Sequence, residues 1–526
     1  MDFDTYCAKA HEALKDKNWL KAYSLVKKII LYEPEDAIWA FCIAKICAKL
    51  KKFYEAKNYI NLIPLDIPGK NTRKLIAKIY LETNQIEKAL AVCPEDMKNN
   101  IIEELESENI GELKEKINDL IQWIKDNGGY VGPINVKNFG SKFRGLASNI
   151  FIEPNEKILI VPKELIITKD TCTTSYTQIF KDKFLSHHSL FALFIMIEKK
   201  NPLSSWNKFL SVLPEDYSNF PIFFTPEEIS YLNGSSLLKI LAKEIKCLEQ
   251  DYLIISSANL LTYEEFLKGR MLVSSRLFSV KAEKDQSGLV PFADFFNHTY
   301  KSSLSWGYNF DDNGFTVETQ ESYERGMEIT IDYGKKSNLK LMMGYGFATE
   351  ENTADEYIFE LYLKKSDPLY GIKSEIIQNK NEFHLSATTE SNEFNELLGF
   401  LRFSYCKDQT FIDNLKKTYN LKNFFFISLQ NEILALTKLQ KICASALSEL
   451  SELILILERK YEAFNQKTLN QKNILITLQG EKKVLQWGIL FTTEFLNFFN
   501  NPNQCALNTE PSFGTYIKST IIPNIF

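Results

Sequence analysis

Small and apolar positions recur with one period along the first hundred residues. Alanines stand at Ala10, Ala44 and Ala77 and again twelve positions later at Ala22, Ala56 and Ala89, with an apolar residue nine after each first alanine, at Trp19, Phe53 and Ile86. The interval is 33 to 34 residues, and Pro34 and Pro68 close the first two units. Small residues spaced in this way predict helical hairpins in tandem, packed closely at the alanines. From Ile101 to Lys125 the chain is charged with helical spacing, and Gly128–Gly129 then breaks it. The β-branched runs of "GLASNIFIEPNEKILIVPKELIIT" (145–168), interrupted by the turn residues of "EPNEK", predict short strands. Helical patterns occupy about Ser186 to Leu267, and strand patterns return at Leu304–Phe310, Gly314–Thr319 and Glu328–Tyr333. The economical arrangement is a sheet interrupted by a helical insert. One more strand-like piece, "YIFELYL", precedes long helical stretches whose heptad-like spacing marks core-facing helices, notably "NEILALTKLQKICASALSELSELILILERKYEAF".

At 526 residues the chain exceeds one hydrophobic core. The pattern divides it into a repeat region over 1–110, a sheet-rich domain over 127–350 with its helical insert at about 168–267, and a helical lobe over 351–526. A net charge of −5, with acids and bases interspersed, carries no nucleic-acid footprint. The opening "MDFDTYCAKA" lacks the apolar core of a signal peptide, and runs such as "LFALFIMI" are too short to span a bilayer. Nine cysteines without a CxxC, and only five histidines, argue against a disulfide framework and a zinc cluster. The expectation is a soluble intracellular protein of the cytoplasm, or of cytoplasm and nucleus, with no metal and no membrane or nucleic-acid partner.

Two polar signatures interrupt the apolar background. "LVPFADFFNHTYKS" (289–302) places Asp294, Asn297 and His298 at the end of an apolar run. "EITIDYGKKSNLKLMMGYGF" (328–347) ends a strand at Tyr333, and a short helix returns the chain through Tyr345, Gly346 and Phe347. The two tyrosines are twelve positions apart, so that helix can fold the second back towards the first. Each signature alone is bland, since a histidine in an apolar run is usually a core residue and the chain has 24 tyrosines.

Together, "FADFFNH" and "ITIDYGKKSN…YGF" resemble the signature segments of the SET-domain methyltransferases, in the subgroup of the Rubisco large-subunit lysine methyltransferase and the actin-histidine methyltransferase. The resemblance spans roughly Asn127 to Phe526, including "SWNKFLSVLPEDYSNFPIFFTPEEISYL" and "RMLVSSRLFSV". The front end resembles the tetratricopeptide repeat, which implies a concave partner-binding face. The expected fold is therefore α+β: a β-rich pseudoknotted SET core with a helical insert, between an N-terminal helical repeat array and a C-terminal helical, substrate-binding lobe.

The resemblance implies S-adenosylmethionine as methyl donor, a protein substrate and no metal. It implies Tyr333 as catalytic tyrosine and Tyr345 as second pocket tyrosine. It also implies Asn297 and His298 at the adenine end of the donor, with Asp294, Arg276 and Phe347 around the donor site. "SKFRGL" matches the family's glycine-rich strand through Lys142, Phe143, Arg144 and Gly145, but Phe143 replaces the first glycine of the usual pair. Transfer to nitrogen needs a neutral, aligned amine. Because free lysine titrates near about 10.4, an apolar pocket that disfavours the ammonium helps.

Phe278, Ala293 and Tyr345 bear on the acceptor, and Ile331 is placed with Phe278 and Ala293 in the substrate pocket. Phe278 is aromatic as in the lysine-directed relative, Ala293 stands where the histidine-directed one has tryptophan, and Tyr345 keeps the lysine-directed tyrosine. The expected activity is protein-lysine N-methylation. Protein-histidine methylation is the alternative, and a repeat-based adaptor with an inactive SET fold the second alternative.

Overall fold

All six alanines of the N-terminal repeat are fully buried where helices meet. The helices are Phe3–Lys15, Trp19–Tyr32, Ala37–Lys49, Phe53–Ile60, Lys70–Glu82 and Ile86–Val92. Trp19, Phe53 and Ile86 each open the second helix of a hairpin. The structure, a computed structural model, describes residues 3–32, 36–50, 52–60, 63, 70–82, 86–92, 94, 113–139, 144–176, 185–281, 286–378, 380–415, 426–464, 468–500 and 516. Pro34 and Pro68 lie outside them, as do residues 101–112 of the charged stretch, which is helical over 113–126.

The second core is built on short strands. β1 (Tyr130–Val131), β2 (Ile134–Asn138), β3 (Arg144–Ser148), β4 (Lys157–Pro162) and β5 (Ile167–Thr168) precede the insert. β6 (Leu277–Lys281), β7 (Gln286–Leu289), β8 (Asn297–His298), β9 (Leu304–Asn309), β10 (Gly314–Thr319) and β11 (Glu328–Ile331) follow it. Their orders are β1-β4-β10-β9, β2-β3-β11-β8 and β5-β7-β6. The decisive pairing is parallel: Thr330 lies opposite Asn297 and Ile331 opposite His298. Two signatures distant in sequence thus lie side by side, the juxtaposition expected of a pseudoknotted core.

Two boundaries differ from expectation for local reasons. The insert runs on to Arg276 rather than ending at Leu267, because a capping box at Thr262 and Glu265 starts a helix, Tyr263–Arg276, whose apolar face is buried. β11 stops at Ile331 rather than Tyr333. There the Asp332 carboxylate accepts from the Gly334 N–H at 2.8 Å, and the Tyr333 N–H turns to His298 Nδ1 at 3.1 Å.

The third core joins helices Leu429–Phe464 and Leu469–Asn500 with the ribbon of β12 (Glu356–Glu360) and β13 (Glu382–Ser386). It also takes in Leu237 of the insert and Leu339 and Met342 of helix Asn338–Tyr345, so lobe, insert and sheet domain share one apolar interior. Among the described residues no helix is long and apolar enough to cross a membrane.

Candidate active site

Tyr333 leaves β11 with its ring between two others. It stacks on Tyr345 at 4.8 Å between centroids and on His298 at 5.0 Å. Its hydroxyl donates to the Phe296 carbonyl at 2.6 Å. Burial pushes the phenol's pKa above its ordinary value, so the group stays uncharged across the neutral range. The return of Tyr345 depends on helix Asn338–Tyr345, which the Ser337 hydroxyl caps at the Lys340 N–H and Gly346 ends at φ +74.

His298 accepts from the Tyr333 N–H through Nδ1, which puts its hydrogen on Nε2, a buried atom with no hydrogen-bond partner. Burial lowers the imidazole's pKa, against the pull of Asp332, in keeping with a neutral ring. Asn297 donates to Glu328 Oε1 at 2.7 Å. Gly145, opposite, makes room for that pair: a β-carbon there would lie 2.5 Å from Asn297 Nδ2 and 2.7 Å from Glu328 Oε1. Gly145→Ala is expected to overpack this contact and cost about 1–3 kcal/mol, read as a lower denaturation midpoint.

Asp294 sits in the turn Ala293–Phe295 behind Phe292, whose φ of +70 is strained for a residue with a β-carbon. The buried Phe292 ring, edge-on to Phe295 at 5.7 Å, holds it there. Arg276 Nε donates to Asp294 Oδ2 at 3.1 Å, while Oδ1 is buried without a partner. Burial raises the carboxyl's pKa, opposed by Arg276 and Arg144. Arg144 lies over the Phe295 ring at 5.5 Å.

Two cavities meet at these residues. A cleft of about 890 Å³ is lined by Arg144, Arg276, Asn297 and Phe347, and further by the insert segment Ser211–Phe220 and by Thr468–Asn470 of the lobe. A compartment of about 50 Å³ is lined by Leu277, Phe278, Trp306 and Ile331. Ser275, Asp294, Tyr333 and Tyr345 line both. The cleft offers two guanidinium groups to an anion and an aromatic wall. The compartment is an aromatic slot, with Phe278 edge-on to Trp306 at 5.6 Å and to Phe315 at 5.3 Å.

Of the residues singled out in the sequence, Arg144, Arg276, Asp294, Asn297, Tyr333, Tyr345 and Phe347 reach the cleft, and Phe278 and Ile331 the compartment. Three are placed differently. Gly145 backs the Asn297–Glu328 pair and is not among the residues lining either cavity. Ala293, expected in the substrate pocket, is fully buried inside the turn and is not among the residues lining either cavity. His298 does not line the cleft either, because its ring packs behind Tyr333 and under Tyr300, 4.4 Å away. Lys142 and Phe143 lie outside the described residues. Trp306 and Ser275 were not expected in the site, and the insert segment, noted for its resemblance, was given no place in it. Trp306 had a signal, being apolar on a short strand beside the Asn-His segment, whereas Ser275 had none.

A SET domain model matches residues 144–334, and a Rubisco LSMT substrate-binding model matches residues 364–485. The chain is 27% identical to an actin-histidine N-methyltransferase of Papio anubis over 415 residues, covering 72% of this chain and 68% of the relative. It is 26% identical to the Homo sapiens protein over the same shares. In structure it resembles the SET domain of LSMT bound to lysine and AdoHcy, with a TM-score of 0.62, 21% identity and coverage of 77% of this chain and 98% of that one. Rubisco LSMT bound to AdoMet resembles it with a TM-score of 0.58, 20% identity and coverage of 75% and 97%.

Proposed function

From a chain that belongs to the SET-domain protein methyltransferases, with S-adenosylmethionine as donor and a protein as acceptor, we propose that the acceptor group is a lysine side chain and that Tyr333 is its catalytic residue. The compartment beside Tyr333 carries this proposal. Apart from Ser275 and Asp294 its walls are aromatic and aliphatic, and none of the residues lining it is an amide or an imidazole that would bond an acceptor ring. Aromatic faces accommodate an amine and its methylated, cationic product.

The cleft fits the donor in charge and shape. Arg144 and Arg276 would hold its carboxylate end, and Phe347 and Asn297 its base and ribose. Bound there, the donor supplies a methyl carbon made electrophilic by its sulfonium. The chain's own residues do the rest. The Tyr333 O–H is committed to the Phe296 carbonyl, so the phenol oxygen keeps lone-pair capacity for the polarised methyl group and the amine. Phe278, Trp306 and Tyr345 exclude water and disfavour the ammonium form, which lowers the cost of presenting a neutral amine.

Histidine methylation is the second reading, favoured by the activity of the actin-histidine relatives. Asp294, which lines both cavities, brings a carboxyl group to their junction that suits an imidazole better than an aliphatic wall would. Incubation with isotope-labelled donor and a panel of purified proteins, followed by acid hydrolysis and mass spectrometry, separates the two. Labelled methyl-lysine is expected, and labelled methyl-histidine as sole product overturns the lysine assignment.

A further inference from the structure

Helix Asn338–Tyr345 ends at a carbonyl that two other parts of the molecule hold. Gly346 closes the helix at φ +74, its N–H returning to Met342 O at 3.1 Å. At such an end the carbonyls have no partner within the helix. The Gly346 oxygen instead accepts from Asn219 Nδ2 at 3.0 Å and from Asn473 Nδ2 at 3.4 Å. Asn219 belongs to the insert segment over the cleft. Asn473 is buried in the lobe helix Leu469–Asn500. The fit is tight: a β-carbon on Gly346 would lie 2.4 Å from Asn219 Nδ2.

Gly346 separates two site residues. Tyr345, on one side, lines both cavities and stacks on Tyr333, whereas Phe347, on the other, lines the cleft and meets Tyr345 at 6.1 Å. Rotating the Gly346 peptide would swing both rings. A second amide strengthens the junction one turn earlier in the lobe helix: Asn470 Nδ2 donates to Ser218 O at 3.0 Å and to Glu228 Oε1 at 2.9 Å. The lobe thereby ties down the residue beside Asn219 while Asn473 shares its target.

We propose that Asn219 and Asn473 are positioning residues that set the Tyr345 and Phe347 rings by gripping the Gly346 carbonyl from the insert and the lobe. This rests on the Tyr333 site being the place of transfer. It gives the lobe a part in the chemistry besides the substrate binding for which its family model is named.

Asn219→Asp and Asn473→Asp keep the size of the side chain but replace the donating amide with an acceptor. Lys460→Ala is the control, since Lys460 bonds Glu227 and Tyr231 across the same lobe–insert seam without touching Gly346. Both Asp variants are expected to lower kcat roughly tenfold to a hundredfold, the scale of a misplaced reacting geometry, with acceptor KM within about threefold. The double variant should be little worse than Asn219→Asp, because both amides hold one atom. A rise in KM at unchanged kcat, or an equal kcat loss in Lys460→Ala, overturns the proposal.

Hydrogen–deuterium exchange provides a readout that needs no turnover. Exchange over residues 343–348 should quicken in both Asp variants while the first turn of the helix, at Asn338–Leu341, stays protected. Unchanged exchange over 343–348 overturns the positioning role. A wild type that methylates nothing would instead overturn the function and leave the exchange result standing.

Discussion

Tyr333→Phe is expected to lower kcat by about 10²–10³-fold, the usual cost of removing a preorganised polar group at a reacting centre. Donor affinity should stay within about threefold. The phenyl ring keeps the stacks on Tyr345 and His298, and the substitution deletes one oxygen. That oxygen belongs to a residue lining both cavities and is fixed by donating to Phe296 O at 2.6 Å. Stability should fall by about 1 kcal/mol as the Phe296 carbonyl loses its donor. Calorimetry with S-adenosylmethionine and single-turnover kinetics read the two effects separately. A kcat within tenfold of wild type removes Tyr333 from the chemistry. A matching loss of donor affinity would make it a binding residue.

The Tyr333–Tyr345 arrangement was legible in the sequence because its cause is local. A strand, a Ser-capped helix and a glycine in the left-handed region leave few ways to place two tyrosines twelve apart. The buried alanines of the N-terminal hairpins were legible for the same reason, since period and residue size together mark where helices touch. The positions that escaped depend on pairings between distant segments. His298 reads as a cleft residue until β8 pairs with β11 and Tyr333 draws its Nδ1 away from the cleft. Ala293 reads as a pocket wall until the strained Phe292 turns the chain and buries it. Asn219 and Asn473 could not be found at all, because an amide bonded to a backbone carbonyl leaves no periodicity and no motif.

Glu432→Ala is expected to destabilise the lobe by about 3–5 kcal/mol, the range for breaking a buried ion pair from one side. Arg402 donates to Glu432 through Nε at 2.7 Å and through Nη2 at 2.9 Å, and Nη2 also reaches the Tyr516 hydroxyl at 2.6 Å. Glu432 is 0% exposed and Arg402 6%, so water cannot replace the missing carboxylate. Chemical denaturation should show the lobe's transition moving to lower denaturant. Replacing both partners, as Arg402→Met with Glu432→Leu, should recover most of the loss, since the stranded charge goes with its partner. Equal losses in the single and double variants would show that packing, not the charge pair, holds this region. The functional consequence follows from the helix hairpin: Leu429–Phe464 packs along Leu469–Asn500, which carries Asn473 to the Gly346 carbonyl. If the lobe helps to hold Tyr345 in place, kcat of Glu432→Ala should fall with the folded fraction of the lobe even for a free small-molecule acceptor that never touches its surface. A lobe that only gripped protein substrates would leave that turnover unchanged.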